Sequence, residues 1–287
     1  MRFAKGHGTG NDFIVVPDLD DRMELGPEVI RRLCDRRTGI GADGLLRVVA
    51  GEQVRGVASQ VQDGGSAAPW FMDYRNSDGS FAEMCGNGIR VFARYLLDHG
   101  LERGPELTIE TRAGVRVVRE ETDGTLTVDM GAVTVGRAGW AVISGRRYTG
   151  HAVTVGNPHL VCLVCRPLAE IDLTEPPEVD AAMFPDGVNV EVARTVGEHA
   201  IEMRVHERGS GETLSCGTGA VAAAAAAAAA AGEWPGSGSP RWHVDVPGGR
   251  LAVAPGATAS LLTGPAVIVA EGETSASWLD DPVVTTV

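Results

Sequence analysis

Two copies of one short motif, Cys-Gly-X-Gly, contain residues that could do chemistry. The first copy begins at Cys85 and the second at Cys216, and a segment with the pattern of an α-helix follows each. A thiol at a helix start lies beside unpaired backbone N–H groups and the positive end of the helix dipole, which favour the thiolate. The same N–H groups can bind a carboxylate or phosphate. Two such thiols predict a pair of acid/base groups facing one anionic substrate, the chemistry that inverts a carbon centre without a cofactor.

The segments after the two motifs predict helices of different kinds. After Cys85 the apolar side chains recur at the one-face spacing of an amphipathic helix, and Gly100 is placed to cap it. After Cys216 comes an alanine run, residues 222–231, which Gly232 and Pro235 end. This run is too short to cross a bilayer, so it predicts a buried helix that strands can approach closely on every side.

Length, composition and net charge limit the classes of protein to which this chain can belong. The chain has 287 residues, 44% hydrophobic and 22% charged, which is typical of a globular protein with one large or two medium domains. A net charge of −13 argues against nucleic acid or an anionic membrane as a partner. Five cysteines do not suggest a disulfide framework, and the N-terminus lacks the apolar stretch of a signal peptide. We therefore expect a cytoplasmic protein.

The sequence lacks the motifs that are typical of several cofactor-binding and metal-binding proteins. Lys5 is the only lysine, at the start of an edge-like strand, so it is a poor Schiff-base residue and pyridoxal phosphate is not expected. The metal motif H-E-x-x-H is absent, as are the phosphate-binding and dinucleotide-binding glycine motifs. We predict no cofactor and no metal.

Short β-like runs surround each predicted Cys helix, and the two halves of the chain repeat this plan. A duplicated domain, with the active site in the cleft between the copies, is the simplest account. A further helix is predicted over residues 27–36, and residues 51–69 are predicted to form a mobile loop. The predicted strands are residues 13–16, 45–49, 70–74, 107–111, 114–119, 126–130, 152–155, 159–164, 188–193, 200–206, 242–246, 250–254 and 266–270.

Five sequence blocks together resemble the diaminopimelate epimerase family. They occur in family order, cover nearly the whole chain, and are joined by weaker matches at 188–189 and 246–249. The blocks are His-Gly-Thr-Gly-Asn-Asp-Phe (7–13), Arg-Asn-Ser-Asp-Gly-Ser (75–80), Met-Cys-Gly-Asn-Gly-Ile-Arg (84–90), Gly-Asn-Pro-His (156–159) and Glu-Arg-Gly-Ser-Gly-Glu-Thr-Leu-Ser-Cys-Gly-Thr-Gly (207–219).

The resemblance implies an α/β fold of α+β type with two similar domains, each an antiparallel sheet curled around a central helix. The expected N-terminal domain is residues 1–120 plus 265–287, and the C-terminal domain is residues 121–264. It further implies a cofactor-independent homodimer that interconverts LL- and meso-diaminopimelate, on the route to lysine and peptidoglycan. The substrate is thus a small molecule.

The resemblance also assigns roles to individual residues. Cys85 and Cys216 would exchange protons with Cα, against the alternative that they are small buried apolar residues. Backbone N–H groups near both thiols would hold the α-carboxylate, and a second set would hold the distal end of the substrate. The first set is Gly86, Asn87, Gly217 and Thr218; the second is Asn11, Asn76, Asn157, Asn189, Glu207 and Arg208.

His159 and Glu207 would help to set the protonation of the thiols, although a satisfied strand histidine and an ion-pair partner of Arg208 are the plain alternatives. The isolated asparagines could equally be turn residues that satisfy their own backbone. Asp43 stands where some members of the family carry Gln, which leaves any substrate contact there open.

Other interpretations stay open at this point. Cys162 and Cys165 form a C-x-x-C, but no second pair accompanies them, so core thiols are favoured over zinc or redox roles, as for Cys34. Proline or hydroxyproline racemases, expected to carry His where Asn87 stands, and phenazine-type isomerases would share the fold. A non-catalytic amino-acid-binding protein and a redox protein that uses Cys85 and Cys216 are alternatives of other classes.

Overall fold

A computed structural model describes residues 1–54, 68–235, 240–275 and 278. Within these residues the chain divides into two compact units. The first comprises Met1–Gly8, Asp12–Arg119 and the described part of Ala266–Val287; the second comprises Thr9–Asn11 and Glu120–Pro265. Thr9 groups with the second unit, where its hydroxyl lies 2.7 Å from the Ser215 hydroxyl.

The described residues form mainly strands. The strands are β1 (Arg2–Gly8), β2 (Asn11–Pro17), β3 (Gly44–Ala50), β4 (Trp70–Asn76), β5 (Glu106–Thr111), β6 (Gly114–Glu120), β7 (Leu126–Asp129), β8 (Thr134–Ile143), β9 (Arg146–Val155), β10 (Asn157–Leu163), β11 (Glu178–Val179), β12 (Asn189–Gly197), β13 (Ala200–Glu207), β14 (Gly211–Thr213), β15 (Trp242–Val246), β16 (Gly249–Ala254), β17 (Leu261–Gly264) and β18 (Val267–Glu273). The helices are α1 (Pro27–Cys34), α2 (Gly86–Asp98) and α3 (Gly217–Ala230), with 3-10 turns at Gly51–Gln53 and Leu168–Glu170.

The sheet of the first unit is built around α2. Its strand order is β18-β1-β2-β3-β4-β5-β6, in which β18 is antiparallel to β1. The apolar face of α2, including Ile89, Phe92 and Leu96, is fully buried, and the helix packs on β1, β3, β4 and β18. The helix ends as predicted, because Gly100 adopts φ +63° and its N–H bonds the Leu97 carbonyl.

The sheet of the second unit wraps around α3. Its order is β7-β17-β16-β15-β13-β12-β10-β9-β8-β11, with β14 as a branch on β13. The alanine side chains of α3 are buried over most of its length, and β8, β9, β10, β12, β13, β15 and β16 all contact the helix. Side chains this small let the strands approach from every direction, which confirms the predicted buried helix.

The two units repeat one pattern of strand pairing. In the first, β2 is parallel to β3, β3 is antiparallel to β4, and β4, after α2, is parallel to β5. In the second, β10, β12, β13 and β15 are related in the same way, with α3 between β13 and β15. Each unit therefore places a Cys-Gly-X-Gly motif on the connection between two parallel strands.

The α+β class with few helices is confirmed, and the sheets expected to be antiparallel also contain parallel strand pairs. Both sheets are mixed, because a crossover through α1, α2, α3 or the long segment before β12 returns the chain parallel to the strand that it left. The first helix is also shorter than predicted. It ends at Cys34, where the Asp35 carboxylate accepts hydrogen bonds from the N–H groups of Arg37 and Thr38 and starts a turn.

The remaining differences concern the strands β8, β11, β14 and β17, which were not predicted, the start of β9, and one loop. Strand β8 is long and forms an antiparallel hairpin with β9. Strand β9 begins at Arg146, six residues before the predicted start at residue 152. Of the predicted mobile loop, residues 55–67 lie outside the described residues.

Candidate active site

Cys85 is the N-cap residue of α2. Its backbone is extended, with φ −140° and ψ 122°, and its sulfur accepts a hydrogen bond from the N–H of Gly88 at 3.3 Å. The side chain is partly exposed. A sulfur in this position interacts with the unpaired donors and the positive dipole end of the helix, as the motif predicts.

Cys216 occupies the same position on α3. Its φ and ψ are −121° and 119°, and its sulfur accepts from the N–H of Gly219 at 3.4 Å and lies 3.5 Å from the Thr218 hydroxyl. Unlike Cys85, it is buried. Burial first, and then the negative charges of Glu207 and Glu191, raise the pKa of the Cys216 thiol well above 9.0, although the hydrogen bonds from Thr218 and Gly219 oppose the rise.

His159 lies beneath the start of α3 in a buried polar chain. Its Nδ1 is 2.6 Å from Oε1 of Glu191, and its Nε2 is 2.9 Å from Oδ1 of Asn157. Asn157 in turn donates to the Thr218 hydroxyl at 3.4 Å, so the chain reaches the residue that contacts the Cys216 sulfur. Each ring nitrogen faces an oxygen acceptor, and the protonated ring can donate to both.

Glu191 is a site residue that the sequence analysis missed. Its side chain is fully buried, and Oε2 has no hydrogen-bond partner among the described residues. Burial raises the pKa of its carboxyl group, while the charge and hydrogen bond of His159 act in the opposite direction. A signal was available, because Asn189 and Glu191 are two residues apart on β12 and therefore share one face of the strand.

Glu207 and Arg208 follow directly at the end of β13. The Thr213 hydroxyl donates to the Glu207 carboxylate, whose charge also acts on Cys216. The backbone N–H of Arg208 donates to Oδ1 of Asn189 at 2.9 Å, and its guanidinium donates to the Asp186 carbonyl at 2.8 Å. The structure thus connects Cys216 to Thr218, through Thr218 to Asn157 and His159, and to the charge of Glu207. Gly217 follows Cys216 at the start of α3, and Asn189 and Arg208 bond each other at the end of β13.

Three predicted ligands lie in the first unit: Gly86 and Asn87 begin α2, and Asn76 is the last residue of β4. The amide of Asn76 donates to the Ser80 hydroxyl at 3.0 Å. Asn87 is fully buried, and its Oδ1 accepts a hydrogen bond from Arg90 at 3.0 Å. Arg90, a fully buried arginine, also donates to the Gly86 carbonyl at 2.9 Å. Arg90 ends the sequence block 84–90, and no role was predicted for it.

Asp43, at the position left open above, belongs to a charged network in the first unit. Arg36 donates to Asp43 and to Asp12, and Lys5 donates to Asp12 at 2.6 Å. Burial opposes the ionisation of Asp12, but the hydrogen bonds from Arg36 and Lys5 outweigh it and lower the pKa of this carboxyl group. Lys5, the only lysine, is therefore engaged in an ion pair.

The other cysteines lie away from the two helix starts. Burial raises the pKa of the Cys34 and Cys162 thiols to about 12, as suits core thiols. The prediction that Cys165 is also a core thiol is wrong: it is exposed, because β10 ends at Leu163 and the chain turns before Pro167. Within the described ranges no cluster of three or more His, Cys, Asp or Glu side chains could hold a metal ion.

No helix in the part of the chain that the structure describes is both long and apolar enough to span a membrane.

Asn11, the remaining predicted substrate ligand, belongs to the segment that groups with the second unit. There, Gly10 lies against Leu214, close enough that an added Cβ would meet its side chain at 3.0 Å.

Solved structures with a similar fold carry the names of other activities. A Bacillus anthracis phenazine biosynthesis protein of the PhzF family is 18% identical with a TM-score of 0.64, covering 96% of this chain and 99% of its own. A probable proline racemase from Agrobacterium radiobacter K84 is 14% identical with a TM-score of 0.66, covering 98% and 94%. At these identities the likeness concerns the fold alone, and it confirms that the rival classes share it.

Sequence relatives are much more similar. The diaminopimelate epimerase of Thermobifida fusca (strain YX) is 52% identical over 283 residues, which cover 97% of this chain and 100% of the relative. That of Mycolicibacterium smegmatis (strain ATCC 700084 / mc(2)155) is 49% identical over 289 residues, covering 97% and 98%. The family model described as diaminopimelate epimerase matches residues 3–136 and 151–269. Two equivalent Cys-capped helices and these matches lead to one conclusion: the chain belongs to the diaminopimelate epimerase family.

Proposed function

We propose that this protein interconverts LL- and meso-2,6-diaminopimelate by proton transfer at Cα between two cysteines, without a cofactor. The observation that carries the proposal is the placement of Cys85 and Cys216 as N-caps of equivalent helices in a repeated fold. Relatives at about half identity over nearly the whole chain carry the name of this activity. The enzyme is then an isomerase of the amino-acid racemase and epimerase class.

In the proposed step, one thiolate removes the Cα proton, and the electron pair left on Cα is delocalised into the α-carboxylate. The other cysteine, as a thiol, delivers its proton to the opposite face of Cα, so the configuration inverts and the two sulfurs exchange protonation states. Charge develops on the carboxylate in the transition state, and N–H groups fixed at a helix start stabilise it there. Gly86, Asn87, Gly217 and Thr218 supply these groups.

Asn87 supports the proposed division between backbone and side-chain roles. Its side chain is turned inward to Arg90, so its contribution to substrate binding comes from the backbone. The distal amino-acid end of the substrate is assigned to Asn11, Asn76, Asn157, Asn189, Glu207 and Arg208, since amides and a guanidinium can bind both ammonium and carboxylate groups.

His159 and Glu207 are proposed to set the protonation of Cys216. Glu207 acts directly through its charge, which disfavours the Cys216 thiolate. His159 acts through Asn157 and Thr218, which connect it to the sulfur. In this proposal the charge of Glu207 keeps Cys216 a proton donor until substrate binds, and the chain from His159 holds the Thr218 hydroxyl against the sulfur.

We further propose that the two units correspond to two domains with boundaries near residues 120 and 265. The protein is proposed to work as a homodimer in the cytoplasm. A reducing compartment suits the proposal because five cysteines without disulfides, two of them reactive, must stay reduced.

The experiment separates LL- and meso-diaminopimelate by chiral chromatography after incubation with the reduced protein. Wild-type protein should form the second isomer, and Cys85→Ser and Cys216→Ser should each lose about 10²–10⁴-fold in rate, the contribution of general acid–base catalysis. Cys165→Ser is the matched control, because Cys165 is exposed and outside both motifs.

The same experiment separates the alternatives. Conversion of L-proline instead of diaminopimelate would assign the protein to the racemases. Tight binding without conversion, unaffected by Cys→Ser, would support a binding protein. Oxidation to a disulfide between Cys85 and Cys216 should abolish epimerisation, because neither sulfur could then carry a proton; full activity in the oxidised form would contradict the mechanism.

A further inference from the structure

The starts of α2 and α3 have the same backbone geometry, but different side chains pack against them. Phe13 pairs with Gly44 on β3, and His159 pairs with Asn189 on β12, so the repeat makes Phe13 equivalent to His159 and Leu46 equivalent to Glu191. An added Cβ at Gly88 would meet the apolar atoms of Phe13 and Leu46, whereas at Gly219 it would meet the Glu191 carboxylate. The side chains that pack against the first turn are therefore apolar at α2, whereas at α3 they include the Glu191 carboxylate.

One turn into each helix, α2 carries a charged side chain and α3 an apolar one. The fifth residue after Cys85 is Arg90, and the fifth after Cys216 is Val221. Both are fully buried. Arg90 folds back along α2 and donates to the Gly86 carbonyl at 2.9 Å and to Oδ1 of Asn87 at 3.0 Å. Its guanidinium thus binds the two residues that follow Cys85, while the equivalent side chain in the second unit can bind nothing polar.

A buried cation at this position needs a negative charge nearby. Desolvation of a guanidinium is costly, and the first turn of a helix carries the positive end of the dipole. Burial lowers the pKa of Arg90 to about 10, and the negative charge of the Cys85 thiolate acts in the opposite direction. The interaction is reciprocal, so a protonated Arg90 favours the Cys85 thiolate.

Several other ionisable groups on α2 and on the strands that pack against it form ion pairs. Lys5 pairs with Asp12, Asp73 binds Arg47 and Arg75, Arg94 pairs with Asp98, and His99 pairs with Glu271. The remaining ionisable groups on these elements are Arg2 and His7 on β1, Tyr74 on β4, Tyr95 on α2 and Glu273 on β18.

We propose that Arg90 is a positioning residue that holds the Gly86–Asn87 turn and serves as the internal countercharge of the Cys85 thiolate. This role rests on the proposed function, in which the Gly86 and Asn87 N–H groups receive the substrate carboxylate. In the second unit the charges near Cys216, those of Glu191 and Glu207, are negative and favour the thiol. The proposal thus makes Cys85 the base and Cys216 the acid in the enzyme without substrate.

The test measures alkylation of each cysteine by iodoacetamide against pH, without substrate, using mass spectrometry of the Cys85, Cys216 and Cys165 peptides. Arg90→Met removes the charge and both donors at similar length. In this variant we expect the midpoint of Cys85 alkylation to rise by about one pH unit or more, the usual effect of removing a nearby opposite charge. At a pH one unit or more below the wild-type midpoint this is a rate about tenfold lower, with Cys165 unchanged.

Arg90→Lys keeps the charge but not the fork of donors. We expect it to keep the Cys85 midpoint close to wild type and to raise KM for diaminopimelate, because the carboxylate-binding turn loosens. Arg94→Met, one turn further along α2, is the matched control and should shift nothing. If Arg90→Met does not fold, Arg90→Lys alone decides: a midpoint raised by one unit in this variant would overturn the proposal.

An unchanged Cys85 midpoint in folded Arg90→Met would likewise overturn it. Failure of the proposed function is distinguishable, since it would leave wild-type protein unable to convert diaminopimelate while the alkylation midpoints still report on Arg90.

Discussion

The two motif glycines whose N–H groups donate to the cysteine sulfurs should differ in how much stability they lose on substitution by alanine. Gly88 and Gly219 occupy equivalent helical positions, and the N–H of each donates to its cysteine sulfur. An added Cβ at Gly88 would lie 3.4 Å from its three nearest atoms, which is ordinary contact. At Gly219 it would lie 2.7 Å from Oε1 of Glu191 and 3.2 Å from Cβ of Cys216. Alanine therefore fits the first position but not the second.

The magnitude follows from what Glu191 can do. A flexible carboxylate would move aside, but this one is fully buried and lies 2.6 Å from His159, so moving it strains a buried pair. Overpacking of this kind costs about 1–3 kcal/mol. The helix-propensity gain of glycine to alanine, at most about 1 kcal/mol, applies at both positions and cancels in the comparison. Gly219→Ala should thus be about 1–3 kcal/mol less stable than Gly88→Ala.

Urea unfolding followed by circular dichroism measures this difference, with epimerisation rate as a second readout. Gly88→Ala should unfold at or above the wild-type midpoint. Gly219→Ala should unfold earlier and lose activity, because the strain displaces Glu191 and His159 beneath Cys216. Equal midpoints for the two variants, or a lower one for Gly88→Ala, would refute the reasoning.

Two further predictions concern buried charge. Because burial raises the pKa of Glu191 above 4.5, ionising it costs stability as pH rises, and the stability of Glu191→Gln relative to wild type should increase with pH above that value in urea titrations; a relative stability that falls with pH would contradict the assigned direction. The pKa of Asp12 is lowered from 3.8, so its ionised form contributes stability above that value that is lost as pH falls below it, and Asp12→Asn should show a shallower loss of stability in acid than wild type; parallel acid profiles would contradict this.

The thiol positions could be predicted from sequence because their signal is local. A cysteine followed by Gly-X-Gly and a helical pattern specifies an N-cap, and both N-caps were found where the motif placed them. The ends of α2 and α3 were equally local, since glycine there takes a positive φ. Strand pairing has no such local signal. Whether two strands joined by a crossover are parallel depends on the path of the whole connection, so the parallel pairs were not predicted.

The missed site residues share one cause. Glu191 and Arg90 are charged side chains that lie within predicted apolar elements, and sequence alone suggests exposure for such residues. Their burial becomes meaningful only when β12 is placed beneath α3 and Arg90 is folded back along α2. Cys165 shows the converse, because its apolar neighbours predicted burial while the end of β10 exposes it.

The most direct test of the two-cysteine mechanism is the fate of the Cα proton in D₂O. LL-diaminopimelate with protium at Cα is converted by the reduced enzyme, and the isotope content of each stereoisomer is followed by NMR and mass spectrometry at early times. Two bases predict that the meso product carries deuterium at the inverted centre, because its proton comes from the second thiol, while the remaining LL substrate keeps protium. Meso product that retains the substrate's own proton would contradict the mechanism, because a single group would then have removed and returned it.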